Sequence, residues 1–342
     1  LSFLVVPVAL CAQSYSALWK EVSIAQQKDL PKTAIQTVDK IIRQARKENN
    51  GGELLKALLT RGQLNTEIAP DSAETFVELL ENNLKTEKSA EMQALYHAVL
   101  GRFHAGRNAR LYEDAPQKAK NHYLMSVQNP ELLHSALAEN YVPFVILGED
   151  SRYFKGDLLH VVARFCGQGM ESLHNRLDGS DSCCHAIFNK AAQVYRRSGN
   201  REAEFFIMLD SADVSSVPVY YGRPVIANEN SGNPKMDFYK DLIRRFGDLD
   251  VCVEAYIRLA DIENEKNAYE CAMEGIRRYG KTRRVDALSD KVEILTRPRL
   301  SINVQQSQAF PQMEDSITVE AVNLSHATLR FYRTGLSADN DL

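Results

Sequence analysis

Residues 31–52 read PKTAIQTVDKIIRQARKENNGG, and this stretch decides the fold class. Pro31 has a preset φ and no N–H to lose, so it suits the first turn of a helix. Ala34, Val38, Ile41, Ile42 and Ala45 then recur at helical steps, which puts them on one apolar face. Asn49, Asn50, Gly51 and Gly52 supply the residues that end the helix.

The same pattern extends on both sides. Leu18, Val22 and Ala25 share one face of a helix starting near Ser14. Leu54, Leu55, Leu58 and Leu59 mark a third helix. A fourth is expected to start at Pro70-Asp71, with Asp71 as N-cap, Glu74 at capping-box spacing, and Ala73, Phe76, Val77, Leu80 and Leu84 as its core face. Residues 188–210 (FNKAAQVYRRSGNREAEFFIMLD) split into two helical halves at Ser198-Gly199-Asn200. Residues 251–279 break near Asn264 to Asn267, and the second half offers Ala268, Cys271, Ala272, Ile276 and Tyr279 for burial. Short polar turns imply antiparallel neighbours. The expected fold is mostly α: a tetratricopeptide-like (TPR-like) solenoid of antiparallel helix pairs over residues 13–296, although no clean period of about 34 residues survives. A non-repeating helical bundle is the alternative.

Two stretches interrupt the helices. Residues 141–154 (YVPFVILGEDSRYF) are irregular and aromatic-rich, and residues 211–234 (SADVSSVPVYYGRPVIANENSGNP) read as a long loop. After Pro298 the period changes to two. Leu300, Ile302 and Val304 alternate, as do Ile317, Val319 and Ala321, and then Leu329 and Phe331. These predict three strands with one buried face, the start of a β-sandwich over residues 297–342 that three strands cannot close alone.

The chain opens LSFLVVPVALCAQSYS. An apolar run followed by small and then polar residues is the pattern of a secretory signal, and it is too short for a bilayer span, which takes roughly 20 residues. Residues 1–12 are therefore expected to be a signal remnant, with Ala12 before the cut; a buried N-terminal element is the alternative. Leu10 precedes Cys11, which does not suit a lipid anchor. The localisation that follows is exported: periplasm, cell envelope or extracellular. The sequence is expected to be the front of a longer protein.

At 342 residues the chain has room for two or three domains. A formal net charge of −4 argues against a nucleic-acid partner. Without Cys11, the cysteines at 166, 183, 184, 252 and 271 form an odd, scattered set rather than a disulfide framework. Cys252 and Cys271 fall on neighbouring helices and are expected to be buried apolar residues.

Four segments carry a resemblance: residues 15–35 (YSALWKEVSIAQQKDLPKTAI), 149–165 (EDSRYFKGDLLHVVARF), 268–288 (AYECAMEGIRRYGKTRRVDAL), and RPRLSINV followed by ITVEAVNLSHATLRFYR. Together they resemble the N-terminal region of the large alpha-2-macroglobulin-family proteins of Bacteroidetes. The resemblance implies a secreted helical region ahead of a string of macroglobulin β-sandwich domains. It also implies a family role in endopeptidase inhibition by protease entrapment, with proteases as partners. Trapping members use a Cys-x-Glu-Gln thioester, which these residues lack; Cys166-Gly167-Gln168 is not one.

No constellation reads as catalytic, cofactor-binding or metal-binding. Cys183-Cys184-His185 is the one cysteine–histidine cluster, but adjacent cysteines cannot readily face one metal and no second pair follows; a helix start with one thiol buried fits better. Asp157 and His160 lie three residues apart, and Asp157 is expected to cap the helix carrying Leu158, Leu159, Val161 and Val162 rather than to serve acid–base chemistry. His97 and His104 are expected to be packing or surface residues. Tyr153, Phe154, Tyr220 and Tyr221 could anchor a partner or pin their loops. Asn323-Leu324-Ser325 matches a glycosylation acceptor. The expected function is a non-catalytic structural or interaction module, not an enzyme, with protein partners, no cofactor and no transmembrane span. The alternative is an exported helical glycan- or peptide-binding protein, against which stands the single Trp, Trp19, expected in helix packing.

Overall fold

The computed structural model describes residues 14–69, 72–106, 113–214, 219–220, 223–224, 233–304, 317–328 and 330. The signal remnant at residues 1–12 and the expected cap Asp71 lie outside them. The chain is mostly helical. Helix α1 (Tyr15–Gln27) starts where Ser14 accepts a hydrogen bond from the Ala17 amide, and it buries Leu18, Val22 and Ala25. Helix α2 (Pro31–Glu48) buries the whole expected face, with Thr37 added. It ends at Asn49, whose φ of 52° is left-handed, a conformation asparagine tolerates better than most residues. Asn50 then caps α3 (Gly51–Ile68) by accepting from Glu53 N at 3.0 Å. Gly51 and Gly52 thus belong to the next helix, not to the turn, and packing explains them. A Cβ on Gly52 would sit 2.5 Å from the carbonyl oxygens of Tyr141 and Val142.

Helices α1, α2 and α3 pack in sequence order. Leu55 and Leu58 are buried in α3, while Leu54 and Leu59 are half-buried. Trp19 packs back onto α3: its Nε1 donates to Glu53 Oε2 at 2.6 Å, and the Lys56 ammonium lies 4.2 Å from the ring centroid. Helix α4 (Ala73–Thr86) fully buries only Leu80 of its expected face. Helices α5 (Ala90–Ala105) and α6 (Ala115–Ser126) form a tight pair, in which Tyr123 rests against Gly101 and Gly169. A short α7 (Pro130–Ser135) leads into residues 136–157. That irregular stretch contains 3-10 turns at Ala138–Tyr141 and Glu149–Phe154 and a cis Val142-Pro143 bond.

Helices α8 (Leu158–Glu171), α9 (Ser180–Arg197) and α10 (Arg201–Asp213) again pack in order, with the Ser198–Asn200 turn where the sequence places it. The expected loop from residue 211 starts three residues late, because α10 runs on to Asp213. Its described part holds a short antiparallel pair, β1 (Val219–Tyr220) and β2 (Arg223–Pro224). Helix α11 (Pro234–Phe246) follows.

Compact units divide between Leu249 and Asp250, inside the helical stretch. The second unit holds α12 (Val253–Ile262), α13 (Glu265–Tyr279), α14 (Asp286–Thr296) and a hairpin of β3 (Arg299–Val304) with β4 (Ile317–Val322). In α13, Ala268, Ala272 and Tyr279 are buried, but Cys271 and Ile276 are only half-buried. The hairpin pairs Leu300 with Ala321 and Ile302 with Val319, so the expected alternation falls in register. The expected buried face is largely exposed: Leu300, Ile302 and Ile317 are 49%, 52% and 43% exposed. Leu329 and Phe331, the expected third strand, lie outside the described residues. The hairpin is tied to the helix end, because Asn323 Nδ2 donates to Leu295 O at 2.6 Å and Arg297 O at 3.3 Å. Among the described residues, no helix is long and apolar enough to cross a membrane.

Candidate functional site

Asp157 is the centre of a buried polar cluster among the described residues of the first unit. The carboxylate is 3% exposed and sits at the N-cap of α8, where Oδ1 accepts the His160 amide at 3.1 Å. This is the expected cap. The same carboxylate also meets His160 Nδ1 at 3.0 Å and His134 Nδ1 at 2.7 Å, and it accepts the Tyr195 hydroxyl at 2.9 Å to each oxygen. Three helices converge here: α7 brings His134, α8 brings Asp157 and His160, and α9 brings Tyr195. Burial, together with the neighbouring Asp157 charge, pushes the Tyr195 phenol far above its ordinary range, so at neutral pH it is a donor.

The far side of His160 extends the chain of contacts. Its Nε2 lies 3.3 Å from Ser151 Oγ. Serine, imidazole and carboxylate are therefore aligned in the order of a nucleophile, its base and the group that orients the base. The surroundings oppose that use. His160 is 3% exposed and stacks on Phe154 with centroids 4.5 Å apart and an 8° interplanar angle. Asp157 also serves a cap, a tyrosine and a second histidine, whereas a triad carboxylate serves mainly its base. Arg164 covers the other partners, with its guanidinium carbon 4.7 Å from the Phe154 centroid and its Nε 2.6 Å from Asp210 Oδ2.

A second cluster is made of histidines. His97 and His104 share a face of α5, as the seven-residue spacing expects, and His122 of α6 joins them. His97 Nδ1 and His122 Nδ1 are 2.9 Å apart, and His104 stacks on His122 at 5.6 Å and 12°. Burial lowers all three: His122 to about 4, with the neighbouring histidines and Lys118 adding, and His97 and His104 by burial first. They are neutral packing groups at neutral pH. Among the described residues, no group of three or more His, Cys, Asp or Glu is placed to hold a metal ion.

The remaining sequence candidates are dispersed. Cys184 is buried and its Sγ contacts Gly167 O at 3.4 Å, His185 meets Ser211 Oγ at 3.1 Å, and Cys183 is half-buried. The cluster therefore does not converge. Cys166, Cys183, Cys184, Cys252 and Cys271 are all free thiols, and burial pushes Cys166 and Cys184 up to about 12. Cys271 Sγ lies 3.6 Å from Tyr256 O, and Cys252 is buried. Phe154 is buried, Tyr153 packs on Phe206 at 5.2 Å, and Tyr153 O accepts from Asn200; these aromatics pin their segment. The side chain of Tyr220 and all of Tyr221 lie outside the described residues. Sequence reasoning missed His134, Tyr195, Ser151 and His122, which meet Asp157 or His97 only through folding. No protein-family model matches the chain, and no curated protein or solved structure matches it.

Proposed function

We propose that this chain is a non-catalytic helical interaction module of an exported protein, positioned by its resemblance at the front of a large alpha-2-macroglobulin-like protein. The single observation that carries this reading is the packing order. Helices α1 to α3, α8 to α10 and α12 to α14 each pack on their sequence neighbours, the arrangement by which TPR-like arrays of helix pairs form extended protein-binding surfaces. The polar clusters support it, because their side chains are spent on one another and on capping. The β3–β4 hairpin, with its apolar face largely exposed, is the part that would begin a macroglobulin-type sandwich. Protease entrapment would belong to the whole protein, with the covalent chemistry carried outside these residues.

The test is inhibition by the chain alone. It is incubated with a trypsin-like and a subtilisin-like endopeptidase, and turnover of a protein substrate is followed. Unchanged turnover at a tenfold molar excess of the chain is expected. Stoichiometric, time-dependent loss of protease activity would overturn the reading.

A further inference from the structure

The turn between α2 and α3, the turn between α4 and α5, and the 3-10 segment at 138–141 line a cavity of about 530 Å³. That volume falls within the range of small-molecule sites, roughly 300–1,000 Å³. Next to the lining residue Gly51, Gly52 admits the close approach of the Tyr141–Val142 peptide.

Tyr96 of α5 lines this space. The residue is 1% exposed, and its hydroxyl makes no hydrogen bond among the described residues. The ring is packed away while the hydroxyl oxygen is not fully buried, so the unpaired phenol tip stays within reach of a molecule in the cavity. Burial and the Glu87 charge push it up to about 12, while Arg46 pulls it the other way. The hydroxyl is thus a standing donor with a cation and an anion near it.

Other cavity groups have capacity to spare. Glu87 Oε1 accepts the Lys88 and Ser89 amides at 2.8 Å each, which leaves Oε2 as an acceptor. Asn50 spends its Oδ1 on the α3 cap and keeps its Nδ2. Asn140 is exposed at the rim. Arg46 is held toward the cavity by donating to Asn83 Oδ1 at 3.0 Å. The Tyr141 ring adds an apolar face.

This lining selects a chemistry. One guanidinium and one carboxylate balance, so no net charge is attracted. An apolar ligand would leave the Tyr96 hydroxyl buried and unpaired. A ring of hydroxyl groups, each able to donate and to accept, satisfies the mixture of amide donors, phenol and carboxylate, and its C–H face suits a tyrosine ring.

We propose that this cavity binds a neutral saccharide, with Tyr96 and Asn50 donating to its hydroxyls, Glu87 accepting from one, and Tyr141 covering its C–H face. The site stands apart from the interaction-module reading, and the protease assay above does not touch it.

The test is saturation-transfer-difference NMR on the full chain with glucose, galactose, mannose, N-acetylglucosamine and xylose at about 10 mM, with glucuronate and triglycine as contrasts. The millimolar range is where a ligand of this size with few hydrogen bonds belongs. At least one neutral sugar is expected to receive saturation, and Tyr96→Phe is expected to weaken that sugar about tenfold, the scale of one hydrogen bond. Asn140→Ala, at the exposed rim, serves as a second variant that leaves the core unaltered. The proposal is overturned by no transfer to any neutral sugar, by equal binding in wild type and both variants, or by tighter binding of glucuronate or triglycine.

Discussion

Replacing Asp157 separates a simple helix cap from a structural hub. If the side chain only caps α8, Asp157→Ala costs about 1 kcal/mol, and Asp157→Ser, which keeps a capping oxygen, costs almost nothing. The observed contacts predict more. Without the carboxylate, Tyr195 loses both acceptors at 2.9 Å, and His160 and His134 lose theirs at 3.0 and 2.7 Å. Each buried group left unpaired costs about 1–3 kcal/mol. With Tyr195 and His160 both buried and His134 partly exposed, Asp157→Ala should cost about 3–5 kcal/mol and Asp157→Ser about 2–4 kcal/mol. At about 2–4 °C per kcal/mol for a unit of this size, Asp157→Ala should lower Tm by about 10 °C. Thermal and urea unfolding followed by far-UV circular dichroism measures both variants. A neutral Asp157→Ser alongside a loss near 1 kcal/mol for Asp157→Ala would refute the hub and leave only the cap.

The histidine stack makes the first unit acid-sensitive. An unfolded imidazole titrates near 6.5, and the folded values are lower, so the unfolded chain takes up protons first. Stability is complete above about pH 6.5 and falls with pH until the folded value near 4 is passed. For His122, half-exposed and therefore screened, the loss is about 1–2 kcal/mol; a Tm that stays flat or rises between about pH 6.5 and 4.5 contradicts it. Gly167→Ala would drive a methyl group into the Phe188 ring, whereas Gly148→Ala meets open space; the first should cost about 1–3 kcal/mol and the second almost nothing, read from urea midpoints. Iodoacetamide at about pH 8 should alkylate Cys183 ahead of Cys166 and Cys184, whose buried thiols stay protonated. Peptide mass spectrometry that finds Cys184 labelled as fast as Cys183 would contradict the burial.

The helical architecture was legible where one helix carries its own signal. The face of α2 from Ala34 to Ala45 needs only the helical period, and the Ser198–Asn200 turn needs only its residue types. Asn49 and Asn50 were correctly placed at a boundary, but their neighbours Gly51 and Gly52 were misassigned. The reason for Gly52 is the approach of residues 141 and 142, and for Gly51 that of Met92, all far away in sequence. The same limit hid the polar centres. Asp157 reads as a cap because its amide partner is three residues away, but Tyr195 is 38 residues distant and His134 lies 23 residues upstream. His122 sits on α6, where nothing local distinguishes it from a surface histidine. On β3, the alternation of Leu300 and Ile302 predicts a strand correctly but says nothing about what covers it, and the described residues leave that face largely exposed.

The central claim is that the polar alignments in this chain build a scaffold and perform no chemistry. Ser151, His160 and Asp157 give that claim its hardest case. The most direct measurement is labelling of the intact chain with a fluorophosphonate probe, read by intact-mass and peptide mass spectrometry. The account predicts no adduct at Ser151 after prolonged exposure, with or without His160→Ala. A stoichiometric adduct at Ser151 that His160→Ala abolishes would contradict it and make this cluster a working nucleophile.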